Sequence, residues 1–163
     1  MPYFTAVVAR EGRTWSSHVL DVEAMGDLAE LAAGLRIVVA DDDAPVLLLV
    51  EREDAWWGVV RVDGEEDPRV FVSDAAAVAA SSYATILDVV AFASDPAVDA
   101  EEEEEDGEVV PAGTCAGDLD VLADLGTSPE DLQEMCDDEL LPMDALAAVA
   151  EGAGFAEVLD SLR

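Results

Sequence analysis

Few residues of this chain have the types and spacing that chemistry needs. The single histidine, His18, lies between Ser17 and Val19 in an apolar, alternating stretch. A Ser–His nucleophile pair would need a turn such as G-x-S-x-G to present the serine, and none surrounds it. His18 therefore reads as an ordinary strand histidine. The two cysteines, Cys115 and Cys136, belong to no C-x₂-C pair. A structural zinc needs four ligands, so no metal or cofactor site is expected from them. Cys136 falls on an apolar helix face and reads as a small buried hydrophobe. Cys115 lies beside a glycine-rich loop.

Carboxylates are so abundant that ligand-like spacings arise by chance. Asp118, Asp120 and Asp124 superficially resemble an oxygen-ligand loop. Counted from Asp118, the sixth and twelfth positions are Ala123 and Pro129, where an EF-hand requires Gly and Glu. Asp41–Asp43 and Glu101–Asp106 read as solvated charge runs. Gly12 and Gly64 are lone turn glycines, with no phosphate loop around them. A carboxylate-based enzyme or ligand-binding site would be built from Asp63, Asp67 and Asp74, which fall near strand ends. Trp57 is the remaining candidate interaction residue. It adjoins Trp56, and neighbouring strand residues point to opposite faces, so one tryptophan belongs to the core. The other packs under a helix or marks a partner surface.

Charge removes whole classes of function. The chain has 163 residues with 39 Asp and Glu against 7 Arg and no Lys, a formal net charge of −32. Six of the arginines lie in the first 69 residues, and the next is Arg163. Residues 1–69 carry −9 and residues 70–163 carry −23. Phosphate neutralisation by Lys and Arg supplies most non-specific nucleic-acid affinity, so direct nucleic-acid binding is not expected. A basic protein surface, reached by electrostatic steering, is the favoured partner. Two cysteines make no disulfide framework, which agrees with a reducing, cytoplasmic location. The N-terminus has no basic region followed by a long apolar run, and no apolar run reaches membrane-spanning length. The absence of Lys beside abundant Ala, Val, Asp and Gly suggests a GC-rich genome.

The elements that must position these residues follow from periodicity. Residues 3–10 and 14–22 read as strands joined by Glu11-Gly12-Arg13, with Gly12 free to take positive φ. Residues 24–36 change to a helical period through Met25, Leu28, Ala32 and Leu35. PVLLLVER (45–52) and AWWGVVRV (55–62) form a tight hairpin, and RVFVSD (69–74) is a further strand. Ser73 or Asp74 then caps a helix over 75–93. The order ββαβββα predicts an α+β fold, a small and mostly antiparallel sheet with two helices. Residues 1–93 form that α+β domain. Residues 94–116, with six consecutive acids, form an acidic, flexible linker. Residues 117–163 form a helical subdomain of three or four short helices. The first helix spans 118–126 and ends on Gly126, and the next is capped by Ser128 with Pro129 at its first position.

Two stretches carry a family resemblance. RVDGEEDPRVFVSDAAAVAASSYATIL (61–87) resembles a core motif of the actinobacterial tRNA adenosine deaminase-associated proteins. GDLDVLADLGTSPEDLQEMCDDELLPMDALAAVAEGAGFAEVLDSLR (117–163) resembles that family's C-terminal block. The opening YFTAVVAREGRTW fits as well, so the resemblance spans essentially the whole chain. It implies an association, in gene neighbourhood, with the tRNA-editing deaminase, and brings no catalytic residues to carry over. The chain is not that deaminase: His18 is followed by Val19 and Leu20 rather than by x-E, and P-C-x-x-C is absent. The expectation is a non-catalytic acidic protein that binds or regulates a basic partner, with the tRNA adenosine deaminase the named candidate. The alternatives are a small carboxylate-based enzyme or ligand-binding domain, and a homo-oligomer built through an edge strand or Trp57.

Overall fold

The computed structural model describes residues 4–18, 20–38, 44–52, 55–63, 68–81, 83–87, 115–138 and 140–162. Its centre is a six-stranded, wholly antiparallel sheet. The strands are β1 (Phe4–Glu11), β2 (Thr14–His18), β3 (Pro45–Arg52), β4 (Trp56–Asp63), β5 (Arg69–Val72) and β6 (Ala116–Gly117). They lie side by side in the order β2-β1-β3-β4-β5-β6. The first hairpin closes at Glu11↔Thr14 over Gly12, whose φ of 68° a side chain would resist. The second closes at Arg52↔Trp56, where the Ala55 N–H donates to the Arg52 carbonyl at 2.7 Å. Both hairpins stand where the sequence places them.

Helices cover both faces. One face is packed by α1 (Leu28–Ile37), α2 (Ala75–Ala79) and α3 (Tyr83–Ile86). The other is packed by α4 (Pro129–Asp137), α5 (Pro142–Ala153) and α6 (Ala156–Leu162), with the turn at 118–126. The two-residue period of the strands sorts the apolar side chains. Val46, Leu48, Val50, Trp56, Val60 and Val62 join Leu31 and Leu35 of α1. Leu47, Leu49, Trp57, Val59 and Phe71 join Leu132, Leu146, Val149 and Phe155 of the C-terminal helices. The continuous apolar run of β3 is thus a strand buried on both sides. The fold is α+β, with the C-terminal helices following the sheet and sharing a core with it.

Several expected boundaries move, each for a local reason. The helix expected from residue 24 begins at Leu28, because Asp27 accepts the Glu30 N–H at 2.9 Å as its N-cap. The helix expected over 75–93 is capped by Asp74, one of the two caps the sequence offers, and stops at Ala79. There Ser81 Oγ donates to the Val78 carbonyl (2.7 Å) and accepts the Tyr83 N–H (3.0 Å), ending one helix and starting another. The helix expected at 118–126 is a succession of turns with a 3₁₀ segment, Ala123–Leu125. Asp118 draws the Asp120 N–H to its own carboxylate at 2.9 Å, which diverts the backbone from the helical ladder. Residues 94–114 of the expected linker, like 88–93 of the expected helix, lie outside the described residues. Ala116, at the linker's expected end, is part of edge strand β6.

Candidate functional site: an arginine-clamped acidic layer

Arg61 is the polar residue on which the C-terminal layer seats. It sits on β4 two residues beyond Val59, so its side chain leaves the sheet on the same face as Trp57 and Val59, beneath the C-terminal layer. It is 5 % exposed. A guanidinium buried there must have its donors satisfied. Nη1 donates to the Val121 carbonyl (2.8 Å) and to Asp124 Oδ1 (2.6 Å), Nη2 to Asp124 Oδ2 (3.0 Å), and Nε to Asp63 Oδ1 (2.9 Å). The pairing with Asp124 is bidentate, the geometry that planar guanidinium and carboxylate groups share. Arg69 extends the cluster, at 3.6 Å from both Asp63 and Asp118. Sheet residues Arg61, Asp63 and Arg69 are thereby tied to Asp118, Val121 and Asp124, the stretch that opens the C-terminal layer.

The protonation equilibria follow from these contacts. Burial by itself would lower the Arg61 pKa, but hydrogen bonds to Asp124 and Asp63 and the attraction of both carboxylates outweigh it. Arg61 is held more firmly protonated than a free arginine. Asp124 moves the other way. The hydrogen bond from Arg61 holds its carboxyl below the ordinary aspartate value of 3.8, against a smaller opposing effect of burial. Asp124 nevertheless remains open to water on its outer side, with 66 % of its side chain exposed.

The outer surface of this layer carries one sign of charge. Between Asp120 and Asp160, eleven described carboxylates are exposed, and no Lys or Arg stands among residues 70–162. The nearest sheet arginines, Arg61 and Arg69, are engaged underneath with Asp63, Asp118 and Asp124. The field above α4, α5 and α6 is therefore not neutralised from within.

The residues singled out in the sequence are dispersed. Trp57 is 1 % exposed and packs 5.5 Å from Phe71 beneath the C-terminal helices, so it offers no partner or dimer surface. Trp56 is equally buried on the opposite face, 5.8 Å from Tyr83. Asp63 belongs to the arginine cluster, while Asp74 caps α2 by accepting the Ala77 N–H at 3.1 Å. Asp67 lies outside the described residues. His18 Nε2 is 3.2 Å from Ser16 Oγ on the edge strand β2. Cys115 and Cys136 approach one another beside α4, where Cys115 Sγ is also 3.9 Å from Gln133 Oε1. Burial, then contact with Cys115, pushes the Cys136 thiol far above the usual range, which keeps it a poor nucleophile. Among the described residues no group of three or more His, Cys, Asp or Glu is placed to hold a metal. No helix among them is long and apolar enough to cross a membrane.

Sequence reasoning singled out Asp63 but overlooked Arg61 and the pairing of Arg61 with Asp63 and Asp124. The available signal was an arginine inside AWWGVVRV, at a position whose alternation puts it on the face of Trp57 and Val59. A charge there demands a carboxylate from another layer. Which carboxylate was not readable, because the chain offers 39.

No curated protein and no solved structure matches the chain. A family model does, over residues 3–156, and with nearly the full length covered the chain belongs to the Rv3753c-like tRNA adenosine deaminase-associated protein family.

Proposed function

We propose that this protein is a non-catalytic acidic partner that docks on a basic protein surface, with a tRNA adenosine deaminase the first candidate. The observation that carries the reading is the outer face of the C-terminal layer, where exposed carboxylates crowd together, only Asp124 among them reaches Arg61, and residues 70–162 contain no Lys or Arg. An enzyme that acts on RNA presents positive charge to phosphate. The acidic layer is complementary to such a surface, either competing there with tRNA or steadying the free enzyme. The family's description supplies the candidate's identity. The reading implies a cytoplasmic protein, where tRNA and its editing enzyme meet. It also explains why carboxylates are held on a rigid, sheet-backed layer, since preorganised charge loses less entropy on docking than charge on a mobile tail.

Light scattering on a mixture with the tRNA adenosine deaminase of the same organism tests this directly. A complex is expected at low salt and should weaken as ionic strength rises, because screening lengths fall from about 10 Å at 0.1 M to about 3 Å at 1 M. Added tRNA should change the amount of complex. Absence of a complex at low salt would remove the deaminase as partner, and a complex indifferent to salt would remove the electrostatic basis.

A further inference from the structure

We infer that the cleft between α4 and α5, with the apolar turn that closes its end, docks a cationic amphipathic segment of a partner protein. The inference rests on the acidic-partner reading and assigns it a place. The cleft is open to solvent, with a volume of about 330 Å³. That is the lower end of the range for small-molecule pockets and is a size suited to one or two anchoring side chains. Met135, Leu140 and Ala148 line it with apolar surface, and Asp131, Glu134 and Asp138 form one wall. Those three acids are spaced i, i+3 and i+7, so they form a stripe along one side of α4.

The turn between the two helices supplies the second half of the site. Leu140, Leu141 and Met143 are 36 %, 52 % and 51 % exposed, three large apolar side chains at water within four residues. Leu141 makes no side-chain capping bond although it stands at the N-cap of α5, a position that favours Ser, Thr, Asp or Asn. Exposed leucines beside a flexible methionine form the kind of surface that partner proteins bury.

Charge selects the occupant. Asp137 and Asp138 stand at the C-terminal end of α4, and its last turn has no basic residue. The helix dipole is negative at that end, so the acids repel it where a Lys or Arg would stabilise it. An incoming cation relieves that repulsion. A second copy of this chain, at −32, brings like charge. A metal ion is disfavoured as well, because no described acid cluster has ligand geometry. A segment with Lys or Arg on one side and Leu-type residues on the other satisfies wall, floor and turn together, in the manner of a helix seated in a groove.

Methyl NMR on the full chain with ¹³C-methyl methionine tests the site. The probe is a synthetic helical peptide of Lys, Arg and Leu, roughly four turns or about 15 residues long. Its control has Gln in place of Leu at equal charge. The Met135 and Met143 signals should shift on titration, while Met25, packed on the far side of the sheet, should not. The control should bind at least roughly tenfold more weakly, the loss expected when one or two apolar side chains stay in water. The double substitution Leu141→Ser, Met143→Ser should weaken the Leu peptide similarly and leave the urea midpoint nearly unchanged, since both side chains are half exposed. If the peptide binds with salt dependence but Met135 and Met143 stay fixed, the cleft is overturned and the acidic-partner reading survives. If neither the peptide nor the deaminase binds at low salt, both fall. Shifts that depend on protein concentration without peptide would make the occupant a second copy and overturn the cationic partner.

Discussion

Arg61 concentrates in one side chain what holds the acidic layer to the sheet. Its four hydrogen bonds reach one carbonyl and two carboxylates, and three of the four land on residues at least 60 positions away in the chain. Arg61→Ala should destabilise the protein by about 2–4 kcal/mol, because it leaves the Val121 carbonyl and two carboxylates without their donor. Urea denaturation measures this. Arg61→Lys should recover only part, since an ammonium cannot span both Asp124 oxygens and Asp63 in one plane. The pH dependence has a definite sign. Asp124 has a folded-state pKa below its unfolded one, so its contribution is present above the unfolded value of 3.8 and is lost as pH falls through the folded value. Relief of repulsion among 39 acids acts the opposite way on cooling the charge by acid. The informative quantity is therefore the stability difference between wild type and Asp124→Asn. It should be constant near neutral pH and vanish in strong acid. A difference that does not shrink at all as the pH is lowered would show that the effect is packing rather than charge.

At the scale of elements, the placement of α5 depends on a glycine contact. Gly126 ends the 3₁₀ segment at φ 100°, in the left-handed region, and a Cβ there would collide with the Gly152 carbonyl oxygen on α5. Gly126→Ala combines backbone strain with a backbone clash that no rotamer relieves, and should cost about 3 kcal/mol or more. Loss of stability above 3 kcal/mol in urea, or failure to accumulate folded protein, is the expected result. The sequence marks Gly126 correctly as a stop signal. It does not show that the glycine also touches another helix, because that contact is made across 26 residues of chain. The same limit explains the helix expected over 75–93. Apolar spacing continues through Ala79, Tyr83 and Ile86, and the interruption at Ser81 is made by side-chain hydrogen bonds that periodicity does not register.

For the whole molecule, the decisive arrangement is the sheet between two helical layers. Residues 117–163 read as a subdomain of their own, yet their apolar face closes over Leu47, Leu49, Trp57, Val59 and Phe71. Trp15 ties the far edge, donating its indole N–H to the Ala153 carbonyl at 3.2 Å and packing 5.0 Å from Phe155. A chain ending at residue 93 would expose that entire sheet face. We expect it to aggregate or bind hydrophobic dye strongly, whereas the full chain should unfold in one cooperative transition by both far-ultraviolet dichroism and tryptophan fluorescence. Two separated transitions would mean that the layers fold independently. The asymmetry of charge has its meaning at this scale too. The acids of the C-terminal layer project from one face of a rigid sandwich, which turns a compositional bias into a directed surface.

By itself the sequence determined the first five strands and their alternation, the N-cap Ser128, a choice of Ser73 or Asp74 for the cap after β5, the family, and the absence of the deaminase's zinc-ligand motifs. These rest on local periodicity, capping chemistry and composition, all of which act within a few residues or across the chain as a sum. Only the tertiary structure decided that Trp57 is core, that Asp63 serves Arg61, and that Asp74 stands apart from it. It alone put Met135, Leu140 and the acids Asp131, Glu134 and Asp138 around one cleft. Those outcomes depend on which distant surfaces meet. With 39 carboxylates competing for 7 arginines, no spacing rule selects the partners, whereas burial of Arg61 beneath the C-terminal layer leaves room for two.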